Sequence, residues 1–197
     1  MSSLQPLMIT RKTGKERFHS AGKAVDFDLL GFWQWSVSDL VSNVTRGRLA
    51  EYIVANALQV DMEGVRNEWD AYDLRTSAGI RVEVKSAAFI QSWHQIKISS
   101  VRFLIRQTHA WDATTNLLAK EARRQADVYV FALLAHMDKI TIDPLNLSQW
   151  QFYVVSTQVL HARIRSQHSI TLKSLEAFTG GSVRFSDLEA AVQRVVA

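Results

Sequence analysis

The sequence contains no cysteine, which excludes a disulfide framework and any zinc site built on thiolates. This composition is typical of a reducing compartment, so we expect a cytoplasmic location. Long apolar runs are missing too. The longest, Val128 to Ala135, is far shorter than the roughly 20 residues that a membrane-spanning helix needs. The basic residues from Arg11 to Arg17 follow only a short mixed segment, so we also expect no signal peptide.

The signatures of several enzyme classes are missing as well. The six histidines are scattered, without the spacing of metal ligands. The sequence has no nucleophile elbow, no Walker loop and no dinucleotide-binding fingerprint. It has no internal repeat either. The function must therefore be sought in the charged residues that the chain does contain.

The overall composition is that of a basic globular protein. The 197 residues are 47% hydrophobic, enough for one domain with a substantial core. We expect residues 1–24 to form a basic N-terminal arm, either solvated or touching phosphate, and residues 25–197 to form a single domain. The net charge of +4 favours a polyanionic partner without requiring one.

Charged residues alternate with apolar ones in a segment that reads as a strand. Ile80, Val82 and Val84 belong to one face, and Arg81, Glu83 and Lys85 to the other. Residues two apart on a strand are roughly 6 to 7 Å apart, so one ion or phosphate could touch both Glu83 and Lys85.

The preceding residues predict a hairpin that ends in this strand. Val65 to Leu74 is rich enough in apolar and aromatic residues to be a strand, and Ser77 to Gly79 suits a three-residue loop with Gly79 in the left-handed conformation. In that register Thr76 pairs with Ile80.

The same register sets Asp73 opposite Glu83. Opposed residues have β-carbons about 5 Å apart, so two carboxylates there repel unless a cation lies between them. Asp73, Glu83 and Lys85 therefore indicate a metal site with a lysine beside it. The alternative is a surface hairpin whose charges face solvent.

A helix predicted from about Leu40 to Leu58 carries a second acidic residue of interest. Ser38 or Asp39 could cap this helix. Glu51 lies in its apolar stripe, where an unpaired carboxylate is costly. Two partners are open: Arg48, three residues earlier on the helix, or the same cation that Asp73 and Glu83 would hold.

Asp73, nine intervening residues, and then Glu83-Val84-Lys85 resemble the signature of the PD-(D/E)XK nuclease superfamily, although Tyr72 replaces the proline. Arg46-Gly-Arg-Leu-Ala-Glu51 is similar to the glutamate-bearing first helix of many members. The resemblance covers about residues 40 to 90. It implies an α/β, restriction-endonuclease-like αβββαβ core, with a central mixed sheet flanked by helices.

The resemblance also implies a chemistry. It predicts a Mg²⁺-dependent nuclease, with Mn²⁺ as a substitute, that hydrolyses phosphodiester bonds, most simply in DNA. Asp73, Glu83, the Val84 carbonyl and Glu51 would hold the metal, and Lys85 would be the fourth catalytic side chain beside Glu51, Asp73 and Glu83. Arg46 and Arg48 would contact nucleic acid.

Several alternatives stay open at this point. A module that keeps the fold and binds nucleic acid or assembles without catalysis is the rival function. The choice between DNA and RNA and between endo- and exonuclease action is open, and so is the choice between a monomer and a homodimer.

The rest of the chain predicts the other elements of the domain. We expect strands at 96–105, 127–135 and 151–156, a helix from Thr114 or Thr115 to about Gln125, and a last helix after the capping box Ser186 to Glu189.

Overall fold

The computed structural model describes residues 4, 7–112, 115–164 and 168–197. The strands are β1 (Arg17–Ser20), β2 (Lys23–Asp28), β3 (Leu74–Arg75), β4 (Arg81–Ala88), β5 (Arg102–Leu104), β6 (Trp111–Asp112), β7 (Leu117–Leu118), β8 (Val128–Leu134), β9 (Trp150–Ser156) and β10 (Ser169–Thr171). The helices are α1 (Leu29–Val37), α2 (Asn43–Ala57), α3 (Thr157–Arg163), α4 (Leu172–Thr179) and α5 (Leu188–Val196), with short 3₁₀ turns at Leu147–Gln149 and Phe185–Asp187.

A mixed four-stranded sheet in the order β3-β4-β8-β9 forms the centre of the fold. β4 pairs in parallel with β8, whereas β3 with β4 and β8 with β9 are antiparallel. All seven residues of β8 are buried, as expected for a central strand covered on both faces. The predicted strands at 127–135 and 151–156 are thereby confirmed as β8 and β9.

Two hydrophobic clusters cover the two faces of this sheet. On one face Val82 and Val84 pack against Val54 of α2 and Leu188 of α5. On the other face a second cluster is built from β5, β8, β9, α3, α4 and β10; its largest fully buried side chains include Phe103, Phe131, Tyr153, Leu160 and Leu175. Because side chains alternate along a strand, Glu83 and Lys85 project toward the second face.

The first core helix is confirmed, with a different start. α2 begins at Asn43, and its N-cap is Ser42 rather than Ser38 or Asp39. The Asp39 carboxylate instead accepts hydrogen bonds from the N–H groups of Val41 and Ser42, at 3.1 and 3.0 Å. Asp39 thus fixes the turn that leads into the helix.

The predicted helix ending at about Gln125 is wrong for its described part, residues 115–125; the alternative start Thr114 lies outside the described residues. Asn116 has a left-handed φ of 55°, and Leu117–Leu118 pairs with Trp111–Asp112 as a small hairpin. The structure has the predicted mixed sheet flanked by helices. Among the described residues between β5 and β8, it lacks the second core helix that the αβββαβ order requires.

The two ends of the domain also differ in detail from the expectation. β1 and β2 form a hairpin, so a regular element crosses the boundary drawn after residue 24. The predicted capping box of the last helix is wrong, because α5 starts after Asp187 with no side-chain cap hydrogen bond. In the part of the chain that the structure describes, no helix has the length and apolarity to cross a membrane.

Candidate active site

The site lies where the edge strand β3 stops short along β4. β3 has two residues and β4 has eight, so most of this edge of β4 lacks a strand partner. The pairing of Leu74 with Val82 and the hydrogen bond from Thr76 N–H to the Ile80 carbonyl, at 3.0 Å, confirm the predicted register. The rest of the predicted strand, residues 65–73, is wrong: the structure has bends and turns there.

Asp73 directly precedes β3 and extends the hydrogen bonding between β3 and β4 by one residue. Its N–H donates to the Val82 carbonyl at 3.1 Å, and its carboxylate oxygen Oδ2 accepts from the Val84 N–H at 2.7 Å. The main-chain N–H of the buried Val84 is thus held by the Asp73 side chain. The sharp turn at Gly79, which adopts the predicted positive φ, brings the two residues together.

Glu83 and Lys85 form an ion pair beside Asp73. The Lys85 ammonium lies 2.5 Å from Glu83 Oε1, and the two side chains are 31% and 18% exposed. Tyr129 is the residue of β8 that pairs with Glu83. Burial, followed by the Glu83 charge, raises the pKa of the Tyr129 hydroxyl, so a neutral phenol flanks the glutamate.

Glu51 reaches the site from α2, which packs on the face of β4 that carries Val82 and Val84. Its partner is Arg66, whose Nε donates to Glu51 Oε2. The same guanidinium lies 3.7 Å from Asp73 Oδ1. Of the two partners left open by the sequence, the helix pair with Arg48 does not form, because Arg48 approaches Glu68 at 3.4 Å. Glu51 and Asp73 therefore share one cation, which here is a side chain of the protein.

Asp73 is the electrostatic centre of the arrangement. Burial, together with the charges of Glu83 and Glu51, raises the pKa of the Asp73 carboxyl from its ordinary value of 3.8 to about 7. The Val84 hydrogen bond and Lys85 oppose this rise. Three carboxylates close enough to raise a pKa in this way make an oxygen-rich site that attracts cations.

The two arginines predicted to contact nucleic acid lie in different environments. Arg46 is buried, with 3% exposure, and its guanidinium donates to Ser86 Oγ, the Val41 carbonyl and Asn43 Oδ1. Arg46 also lines a cavity together with Lys85, and its contact with phosphate stays a prediction. Arg48 is half exposed.

A cavity of about 490 Å³ opens beside Glu51 and Asp73. Its lining includes four arginines, Arg11, Arg48, Arg66 and Arg75, and we call it the arginine cavity. Arg66 is the main feature that sequence reasoning missed. Its only signal was a basic residue seven positions before Asp73, within the segment 65–74 that the sequence predicted as a strand. Lys85 lines a different cavity together with Asn43 and Arg102.

The donor set suits a divalent ion with oxygen ligands such as Mg²⁺, since Glu51, Asp73 and Glu83 are all carboxylates. As the side chains stand, no three acidic or histidine residues among the described positions converge as metal ligands do. The Arg66 guanidinium contacts both Glu51 and Asp73. The fit to a metal therefore rests on the chemistry of the donor set and not on the side-chain positions.

The family model described as bacteriophage T4 endonuclease IV matches residues 1–174 of the chain, which include every residue of the site. No curated protein matches the chain.

Proposed function

The chain belongs to the bacteriophage T4 endonuclease IV family, which implies a DNA endonuclease, and we propose that it cuts DNA by a metal-dependent hydrolysis at the Asp73 site. The observation that carries the proposal is the raised pKa of Asp73 between Glu51 and Glu83, at an open sheet edge beside a lysine. The PD-(D/E)XK type is part of this proposal. It is supported by the Asp73, Glu83 and Lys85 spacing and by the sheet edge on which these residues lie.

The proposed metal ligands are Asp73 and Glu83, with Glu51 and the Val84 carbonyl completing an oxygen-rich set. Mg²⁺ is the proposed ion and Mn²⁺ a substitute. A bound divalent ion would lower the pKa of a coordinated water and offset the charge of the phosphate.

Lys85 would act directly on the reacting groups. Its ammonium lies on the same face of β4 as Glu83 and is 31% exposed, so a water or a phosphate oxygen can reach it. We propose that it holds the attacking water by a hydrogen bond and stabilises the negative charge that builds on the phosphate. Glu83 holds the Lys85 ammonium in place through their ion pair.

Arg48, Arg11 and Arg75 of the arginine cavity are the proposed contacts to the DNA backbone. Arginine matches the geometry of phosphate oxygens through two parallel N–H donors. Arg46 is not part of this surface, because it is buried.

One observation favours the rival reading, a module that binds nucleic acid without cutting it. Arg66 contacts Glu51 and Asp73, and Lys85 pairs with Glu83, so each carboxylate has a cationic partner without a metal. A retired site, however, gains nothing from a buried carboxylate whose pKa is raised by two neighbouring glutamates.

The test is incubation of the purified protein with plasmid, linear and single-stranded DNA, and with RNA, in Mg²⁺, Mn²⁺ or EDTA. Cleavage that requires a divalent ion supports the proposal. Nicked or linearised plasmid identifies endonuclease action. Binding of DNA without cleavage in either metal would favour the non-catalytic module.

A further inference from the structure

We propose that Arg66 is exchanged between two partners: it neutralises Glu51 and Asp73 in the metal-free protein, and metal binding releases it to hold a DNA phosphate in the arginine cavity. This inference rests on the proposed function. It adds a DNA-binding residue outside the Asp-Glu-Lys signature and a physical link between metal binding and DNA binding.

The first step of the argument is competition for the same oxygens. Arg66 donates to Glu51 and lies 3.7 Å from Asp73, two of the proposed metal ligands. A divalent ion on these carboxylates both repels the guanidinium and takes the lone pairs that it uses. A metal ion and Arg66 therefore compete for these two carboxylates and do not bind both of them at the same time.

The second step is that Arg66 is free to move. Its side chain is 39% exposed, and it lies in the segment between α2 and β3 that has neither helix nor strand. The residues beside it, Val65 and Asn67, also line the arginine cavity. A change of side-chain rotamer is thus enough to turn the guanidinium from the carboxylates toward the cavity.

The third step concerns the ligand that the released guanidinium would bind in the arginine cavity. The cavity lining sets four arginines against the carboxylates of Glu51, Asp61 and Asp73. The arginines already outnumber these carboxylates by one, and a metal on Glu51 and Asp73 increases the excess of positive charge. A phosphate of the DNA backbone is the ligand that suits several converging guanidinium groups. Metal should therefore tighten DNA binding, and DNA should tighten metal binding by the same factor.

The metal half of the proposal is tested without catalysis, by following the melting temperature during a Mg²⁺ titration. Arg66→Gln removes the competing guanidinium, so the Mg²⁺ concentration at half of the full shift should fall by about two- to fivefold, the range for a partly exposed ion pair. Arg48→Gln is the matched control. It removes a charge from the same cavity, but its partner is Glu68, so its Mg²⁺ requirement should change by less than about twofold.

The DNA half is tested by measuring affinity for one DNA fragment in EDTA and in Ca²⁺, with the fragment checked to be intact by gel. Ca²⁺ prefers the same oxygen ligands as Mg²⁺. The wild type should bind more tightly in Ca²⁺ than in EDTA, and Arg66→Gln should lose most of this gain. Arg66→Lys keeps the charge without the planar fork, so it should keep the wild-type Mg²⁺ requirement and only part of the gain.

The outcomes separate this inference from the proposed function. If the wild type cleaves DNA and is stabilised by Mg²⁺, while Arg66→Gln needs as much Mg²⁺ as the wild type or keeps the full gain in DNA affinity, the exchange is refuted and the nuclease stands. If the wild type shows neither cleavage nor a Mg²⁺-induced shift, both fail together. Arg66→Lys decides the DNA half if Arg66→Gln does not fold.

Discussion

Lys85 is the residue with the most direct proposed role in the reaction. If it orients the water and stabilises the phosphate, Lys85→Ala should lower the cleavage rate by at least about a hundredfold while DNA affinity largely survives. Glu83→Gln should have a loss of similar size, since it removes both a proposed metal ligand and the partner of Lys85. Single-turnover cleavage at saturating protein measures both.

Lys97→Ala is the control for these two variants, because Lys97 is an exposed lysine between β4 and β5, outside the site. Its cleavage rate should equal that of the wild type. A Lys85→Ala enzyme that cleaves within about threefold of the wild type would remove Lys85 from the reaction.

Asp73 should make the stability of the metal-free protein fall as the pH rises. Its folded-state pKa of about 7 lies above the ordinary 3.8, so between these values the folded protein binds more protons than the unfolded chain. The stabilising contribution of the protonated carboxyl is therefore full below pH 3.8 and is lost as the pH rises through 7. Asp73→Asn lacks this dependence, so in EDTA its melting temperature should gain on the wild type between pH 5 and pH 8.

Asp70→Asn serves as the control, since Asp70 is an exposed carboxylate three residues away that accepts a hydrogen bond from Asn67. A difference between Asp73→Asn and the wild type that stays constant across the pH range would mean that Asp73 is ionised throughout, as on a solvated hairpin.

At the scale of elements, what could be predicted depends on how local the determinants are. The turn at Gly79 fixes the register of β3 and β4 within ten residues, so the proximity of Asp73 and Glu83 follows from the sequence. β8 could be recognised by its unbroken apolar run. The conformation of the described residues in the segment 105–125 could not be predicted, because its contacts are distant in sequence. Arg124, for example, donates to the carbonyls of Ile105 and Ile164.

Arg46 shows the same limit on a helix. Its position on α2 next to Arg48 suggested a pair of surface cations, but the helix phase turns Arg46 inward, toward Ser86 of β4 and the Gln91 loop. Which of two helix positions only two residues apart is buried cannot be predicted without knowing which face of the helix meets the sheet. The sequence left the partner of Glu51 open and did not indicate Arg66, which lies in a segment predicted as a strand that forms bends and turns instead.

The junction of α2 with β4 should depend on Arg46 for stability. Arg46→Ala removes the donor that serves Ser86 Oγ, the Val41 carbonyl and Asn43 Oδ1, and we expect a loss of about 2 to 4 kcal/mol in the free energy of unfolding. Arg48→Ala, which removes a half-exposed side chain with one long ion pair, should cost less than about 1 kcal/mol. Urea denaturation of both variants measures the difference.

For DNA binding we expect the opposite ranking, with Arg48 contributing more than Arg46. Arg48→Ala should reduce the dependence of DNA affinity on salt by about one counterion, whereas folded Arg46→Ala should keep the wild-type dependence. The reverse pattern, a stable Arg46→Ala with a smaller salt dependence, would return Arg46 to the DNA-binding surface.

At the scale of the whole molecule, the proposed metal acts on stability by mass action. A ligand that binds only the folded chain stabilises it by about 2.7 kcal/mol at a hundred times its dissociation constant. We expect Mg²⁺ to raise the melting temperature of the wild type at pH 8, where the metal relieves the repulsion among Glu51, Asp73 and Glu83.

The same measurement on Asp73→Asn is the last prediction. The amide cannot replace the carboxylate as an anionic ligand, so the Mg²⁺-induced shift should vanish while the protein is at least as stable as the wild type in EDTA. Loss of the Mg²⁺-induced shift without loss of stability in EDTA distinguishes a metal site from a structural ion pair. If Asp73 served only as a partner of Arg66, its replacement would lower the melting temperature in EDTA, and the wild type would melt at the same temperature with and without Mg²⁺.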